Sequence, residues 1–375
     1  MAPPPPPPVA PAPEAPASNA MTTPALTGPL VANPNPLSID TGPAGKVYFT
    51  GVFSGLGLFQ NDPAPAPGGS DHHNQIDVSN AFFMLQKNEG VLQFFAQGGA
   101  YTFPALGLPF IKSGRTVGNT FGGFPVVYGK VQPTDEFSFM VGKLPTLIGA
   151  EYAFTFQNMN IARGLLWNQE PIISKGIQGN YVSGPLTVSL SLNDGLYSDY
   201  YNWITGLASY AINKENTIAV AAGGNFGQTR KFDSYVTFLP QNNSRIVNLI
   251  YTYNSAPWTI TPYFQYTDVP SNPSIGIFGS AQTYGGAILA NYNINENVNI
   301  AGRAEIIGSS GSTSLLYGPG SSAASLTLTP TWQEGYLFLR GEASVVQVWD
   351  SPGAFGKNLT AKTQARWMLE GGVLF

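Results

Sequence analysis

The chain alternates two kinds of connection, and that alternation restricts what it can fold into more than any other feature. One kind is short and turn-like: KNEG (Lys87 to Gly90), QPTD (Gln132 to Asp135), SGP (Ser183 to Pro185), NKEN (Asn213 to Asn216), SAP (Ser255 to Pro257), NINEN (Asn293 to Asn297) and QEG (Gln333 to Gly335). The other is long and polar or rich in Gly and Pro, as over 61–75, 227–243 and 308–322. Between them lie segments of about 8 to 14 residues in which polarity alternates with period two, the pattern of a strand with two unlike faces. In LTVSLSLN, Leu186, Val188, Leu190 and Leu192 share one face, and Thr187, Ser189, Ser191 and Asn193 the other. In SLTLTPTW, Leu326, Leu328, Pro330 and Trp332 oppose Ser325, Thr327, Thr329 and Thr331. Pro330 removes a ladder donor, so a bulge or the sheet rim is expected there. QTYGGAILANY (Gln282 to Tyr292) alternates poorly.

Short turns at one rim and long loops at the other are how an up-and-down barrel crosses an outer membrane. Seven short turns join fourteen strands in pairs, and the unpaired first segment (KVYFTGVFSGLGLF) and last segment make sixteen, an even number as closure requires. The expected fold is all-β: a transmembrane antiparallel barrel of about sixteen strands, with short periplasmic turns and long extracellular loops. A soluble sandwich also shows period-two strands, with its apolar face inside. The alternating connection lengths, the total length and the aromatics near strand ends (Phe49, Phe53, Tyr210, Tyr266, Trp332, Tyr336, Trp367) favour the barrel.

Composition agrees. No stretch approaches the roughly 18 to 20 uninterrupted apolar residues of a membrane-spanning helix, whereas alternating strands average their hydropathy away. Charged residues are 10% of the chain and the net charge is −4, which offers no basic surface for nucleic acid. There are no cysteines, which excludes thiol chemistry and fits an oxidising compartment. Met1 is followed by APPPPPPVAPAPEAPAS, with neither a basic start nor an apolar run, as in the mature form of an exported protein. Residues 1–44 are rich in Pro and Ala and are expected to form a largely disordered periplasmic extension, a spacer or a contact for a partner; 45–375 form the barrel.

Catalysis finds little support. His72 and His73 are adjacent in the first long loop, with no strand-borne Ser in view and no closed metal-ligand set. Gly-rich pieces such as GLGLF and GPGSS lack the Lys-Ser/Thr of a phosphate loop. No cofactor or metal is expected.

The chain ends ARWMLEGGVLF: Ala365, Trp367, Leu369, Gly371, Val373 and Phe375 share an apolar face, while Arg366 and Glu370 stand on the other. This ending resembles the last strand of bacterial outer-membrane barrels, whose terminal Phe helps the assembly machinery recognise its substrate. Trp367 and Phe375 lie roughly 26 Å apart along a strand, about 20 Å along the membrane normal, which suits an aromatic belt at each interface. The stretch Val141 to Tyr181 resembles the OmpL-like β-barrel porin family, with matching positions Gly142, Lys143, Gly149, Glu151, Asn158, Arg163, Leu165, Leu166, Pro171 and Gly176. The resemblance implies a bacterial outer-membrane porin that passively admits small hydrophilic solutes or ions, with lipid and the assembly machinery as partners and a homotrimer as one assembly.

With the apolar face outward, Arg303 and Glu305, Arg340 and Glu342, and Arg366 and Glu370 are expected to line the pore, either as a ladder that orients dipolar solutes or as a self-neutralising wet wall. The third long connection, after Lys143, carries Glu151, Asn158 and Arg163 beside Phe154, Phe156, Leu165, Leu166 and Trp167. It could fold inward as a constriction, with Lys143, Glu151, Asn158 and Arg163 facing the solute path, or pack over a subunit neighbour. A surface protein that uses its barrel only as an anchor for adhesive or structural loops is the alternative.

Overall fold

A computed structural model describes residues 28–33, 35–65, 71–231, 236 and 238–375; the first part of the Pro-rich extension, 1–27, lies outside them. Its strands are β1 (Leu37–Asp40), β2 (Lys46–Gln60), β3 (Asn74–Lys87), β4 (Leu92–Tyr101), β5 (Val126–Val131), β6 (Phe137–Pro145), β7 (Ile173–Ser183), β8 (Leu186–Asn193), β9 (Trp203–Ala211), β10 (Asn216–Asn225), β11 (Arg245–Ser255), β12 (Trp258–Val269), β13 (Ala281–Asn293), β14 (Val298–Gly311), β15 (Ser322–Glu334), β16 (Leu337–Trp349) and β17 (Thr363–Leu374). From β2 onward each strand pairs antiparallel with the next, and β17 returns to β2 through Leu374↔Val52 to Arg366↔Gln60. The result is the closed barrel of sixteen strands expected from the turn pattern. All seven short connections fall at one rim and the eight long ones at the other. β1 pairs with the foot of β2, Leu37 opposite Phe49, and continues the edge below the point where β17 ends.

The apolar faces point outward. Leu326 and Leu328 are 61% and 53% exposed, whereas Thr327 between them is 2% exposed. Leu190, Ile288, Ile306, Trp367 and Leu369 likewise cover the outer wall. An outward apolar wall with polar alternates inside is the inverse of a soluble sandwich and matches a lipid-facing barrel.

Two details explain local sequence. The terminal strand is locked by a reciprocal backbone pair, Gly51 N donating to Phe375 O (2.7 Å) and Phe375 N to Gly51 O (2.9 Å). Position 51 is glycine because a Cβ there would lie 2.5 Å from the Phe375 ring, which lies over it beside Phe49. Pro330 produces no bulge: the β15–β16 ladder skips two residue pairs between Leu328↔Ala343 and Thr331↔Arg340 and resumes in the same register. Pro330 lies near the short-turn rim, so that interruption costs little of the wall, and Gly341 across from it leaves room for the ring.

The lumen is not empty. Leu147, Ile148, Met159, Ile161, Leu165 and Leu166, all from the long connection between β6 and β7, pack against the inward residues Ala219, Ile246, Ile250, Ala287, Leu289, Ala301 and Ile307. That explains β13. Its inward row is Thr283, Gly285, Ala287, Leu289 and Asn291, and the strand looks apolar on both faces because one meets lipid and the other meets a folded loop.

Candidate functional site

The candidate site is this inward loop, residues 146–172, together with the three strands that grip it. It is the third long connection in the chain, and nearly all of it is buried.

β14, β16 and β17 turn Arg303, Glu305, Arg340, Glu342, Arg366 and Glu370 inward, as period two dictates. None of the six faces open water. Arg340, Glu370, Arg303 and Arg366 are at most 1% exposed, and Glu305 and Glu342 are 5% exposed. A wet ladder is therefore corrected to a covered one, because loop backbone takes the place that water was expected to fill.

Each charge grips a group that the loops leave orphaned. Glu342 accepts from the backbone N–H groups of Ile161 (2.5 Å) and Ala162 (3.1 Å). Glu305 accepts from Leu165 N (3.0 Å) and from Ser325 Oγ (2.6 Å). Arg340 donates to three carbonyls, Thr155 O (2.9 Å), Asn158 O (2.8 Å) and Met159 O (2.8 Å), and pairs with Glu370 at 3.4 Å. Glu370 also accepts from Thr155 Oγ1 at 2.6 Å. Arg303 reaches Glu151 at 2.6 Å and Ala162 O at 2.8 Å. Arg366 holds the second long loop instead, through Ala105 O (2.8 Å) and Leu108 O (2.9 Å). A loop without regular structure must satisfy its backbone polar groups from elsewhere once it is buried, and charged side chains form the stronger hydrogen bonds available for this.

Of the four loop candidates, Glu151, Asn158 and Arg163 are buried among protein groups, and Lys143 stands on the outward face of β6. Glu151 pairs with Arg303 and caps Gly164 N at 2.8 Å. Asn158 staples the loop to itself, its Oδ1 accepting from Tyr152 N and its Nδ2 donating to Tyr152 O and Phe154 O. Arg163 donates to Pro104 O (3.1 Å) and lies over the Trp167 ring, joining the second long loop to the third. Lys143 shares the outward face of β6 with Val141, and its Nζ donates to Phe121 O (2.9 Å) and Phe124 O (3.0 Å) of the second long loop. Beside it, Lys175 and Lys231 hydrogen-bond Asp199 and hold its carboxyl below the ordinary range, while burial pushes Asp194 up to about 6. Leu165, Leu166 and Trp167 are buried inside the barrel and cannot cover a subunit neighbour.

Several gripping residues carried no signal in the sequence. Thr155, Ser54 and Asn80 donate to Glu370, and Ser79 bonds Ser54; Asn160 bonds Thr329, and Gln265 bonds Leu166 O. They are ordinary inward polar residues of strands and loop, and only the folded loop makes them partners. Ser79 is the extra residue of a bulge opposite Ser54 and Gly55, which turns both Ser79 and Asn80 inward. His72 and His73 lie in the first loop and are exposed; His73 Nδ1 bonds Gln60 O. Among the described residues no group of three or more His, Asp or Glu side chains is placed to hold a metal.

A closed sixteen-strand barrel with an apolar outer belt and an inward third loop defines an outer-membrane porin. Over residues 46–375 the chain matches the family model described as "Putative beta-barrel porin-2, OmpL-like", and it belongs to that family. Solved structures agree on the fold. The outer membrane channel DcaP of Acinetobacter baumannii is 9% identical with a TM-score of 0.61, covering 90% of this chain and 100% of that one. The anion-selective porin from Comamonas acidovorans is 13% identical with a TM-score of 0.59, covering 88% and 99%. The outer-membrane protein OmpT of Vibrio cholerae is 11% identical with a TM-score of 0.59, covering 91% and 100%. A comparison with curated proteins returned no match.

Proposed function

We propose that the protein admits small hydrophilic solutes or ions by passive diffusion, through a bore that the clamped third loop makes narrow. The observation that carries this reading is the grip itself: charges from β14, β16 and β17 are spent on fixing one loop inside the lumen. A barrel of this size leaves an aqueous interior unless something fills part of it. Fixing the filler with buried ion pairs and charged hydrogen bonds gives a constriction of constant bore. No turnover chemistry is needed; the barrel sorts solutes by size. Liposomes carrying the protein should swell in a small sugar and much less in a trisaccharide. Equal rates for both would refute a narrow bore, and no swelling in any solute would favour the anchor role.

The proline-rich extension belongs to this reading. Its last part runs into the short-turn mouth: Val31 exchanges two hydrogen bonds with the inward side chain of Gln333, both 2.8 Å, and Leu30 packs on the aromatic cluster around Phe82, Phe154 and Phe338. Gly28 abuts the loop from below, since a Cβ there would lie 2.7 Å from Gln157 O. Residues 28–31 lie at the short-turn mouth, which on this reading is the periplasmic entrance. Removing residues 1–36 should raise single-channel conductance and leave folding intact, which heat-modifiable mobility on gels checks; unchanged conductance would place the extension outside the current path.

We also assign a homotrimer contact to the low side of the barrel. There β4 to β9 are short, and Phe137, Phe139, Val141 and Leu190 stand out beside the outward glycines Gly129, Gly179 and Gly206. Sedimentation of the detergent-folded protein should give three copies per particle, and Val141→Arg should give one. A wild-type monomer would remove this contact from the reading.

A further inference from the structure

The ten strands from β4 to β13 turn a single charged side chain inward, Lys130 near the short-turn end of β5. Its chain neighbours Gly129 and Val131 pair with Val141 and Phe139, both exposed on the outer wall, whereas Lys130 pairs with the buried Met140. Period two therefore fixes its side chain on the lumen face, where it is half-buried. Lys143, Lys175, Arg245 and Asp268 belong to the same ten strands but stand on outward faces.

Among the described residues Lys130 has neither a hydrogen-bond acceptor nor a carboxylate partner. The polar groups of the adjacent wall are engaged with one another instead. Gln93 Nε2, across the ladder on β4, donates to Gly90 O (2.9 Å) and Gln132 Oε1 (3.1 Å). On β6 and β7, Gln178 Nε2 donates to Asn180 Oδ1 (2.7 Å), and Asn180 Nδ2 to Ser138 Oγ (3.2 Å). In the other half of the barrel the inward Arg303, Arg340 and Arg366 are all matched by carboxylates, loop carbonyls or an amide. Lys130 is thus the inward strand cation whose charge and three donors remain for something that arrives through the lumen.

A fixed charge in a narrow bore concentrates ions of opposite sign and excludes those of its own. Acidic residues at the short turns, Glu89, Asp135, Glu136, Glu215, Glu296 and Glu334, act against it from the mouth. They are exposed to bulk solution, where salt screens a charge over about 10 Å at roughly 0.1 M, whereas a half-buried charge is screened less. We propose that Lys130 is the specificity-determining residue of the pore and gives it a preference for small anions. The proposal rests on the channel reading and supplies that channel with a solute class.

The test is the zero-current potential of the full chain in a planar bilayer under a KCl gradient, with folding of every protein checked by heat-modifiable mobility. The intact chain should pass chloride several-fold more readily than potassium. Lys130→Ala should remove most of that preference, and Lys130→Glu should reverse its sign. Lys214→Ala, which deletes an exposed cation from a short turn, should leave the potential unchanged. If Lys130→Glu fails to fold, Lys130→Ala decides alone. A potassium preference in the intact chain, or the same potential from the intact chain and the Lys130 variants, overturns the proposal while the current itself upholds the channel. Absence of current from well-folded protein overturns the channel reading, and the role of Lys130 falls with it.

Discussion

Arg340→Ala should cost about 3–5 kcal/mol of barrel stability, the penalty for breaking a buried pair by removing one partner. The substitution leaves Glu370 without its cation and deprives the carbonyls of Thr155, Asn158 and Met159 of their donor at one stroke. Two readouts should move together. The urea midpoint of the vesicle-folded barrel should fall, and its conductance should rise because the loop is no longer held. Arg340→Lys should recover the charge but not the fork that serves three carbonyls, and so should lie between the two. A lower midpoint with unchanged conductance would mean that Arg340 stabilises the wall without fixing the bore.

Leu328→Arg should be the second large effect, about 2–4 kcal/mol, because Leu328 lies mid-strand on the outward face where a guanidinium would meet hydrocarbon. The penalty depends on depth. Trp349→Arg, at the long-loop end of β16 and also outward, should cost no more than about 1 kcal/mol. Refolding into vesicles with urea titration reads both. Equal small costs would show that the outer wall does not face lipid.

How much of this was legible in the sequence depended on the range of the interaction. Period-two alternation and turn chemistry are local, so strands such as Leu186–Asn193 and Ser322–Glu334 and all seven short turns could be read directly. The inward placement of the six Arg and Glu side chains followed from the same alternation. What covers them did not, since Glu342 and Ile161 are far apart in sequence and no local pattern records their contact. The same gap explains β13. An inward row of Ala287 and Leu289 reads as noise until Leu165 and Leu166 are known to lie against that part of the wall. Lys143 misled for a related reason. The Gly-Lys end of the strand pointed to the loop that follows, but the face on which Lys143 stands was set by the count from Met140, and that count puts it outside.

The buried charges of the inner wall are placed where they hold loops. Buried pairs are expensive to assemble and are kept only where they hold something specific. Here Arg303, Arg340, Glu305, Glu342 and Glu370 hold one loop and Arg366 another, while most other buried polar side chains of the inner wall are Ser, Thr, Asn and Gln.

The most direct measurement is single-channel conductance in a planar bilayer, intact chain against Arg340→Ala/Glu342→Gln, with folding of both verified beforehand. Small steps from the intact chain and several-fold larger ones from the double variant are expected if the ladder clamps a constriction. Steps of the same size from both proteins would contradict it, for the loop would then not set the bore.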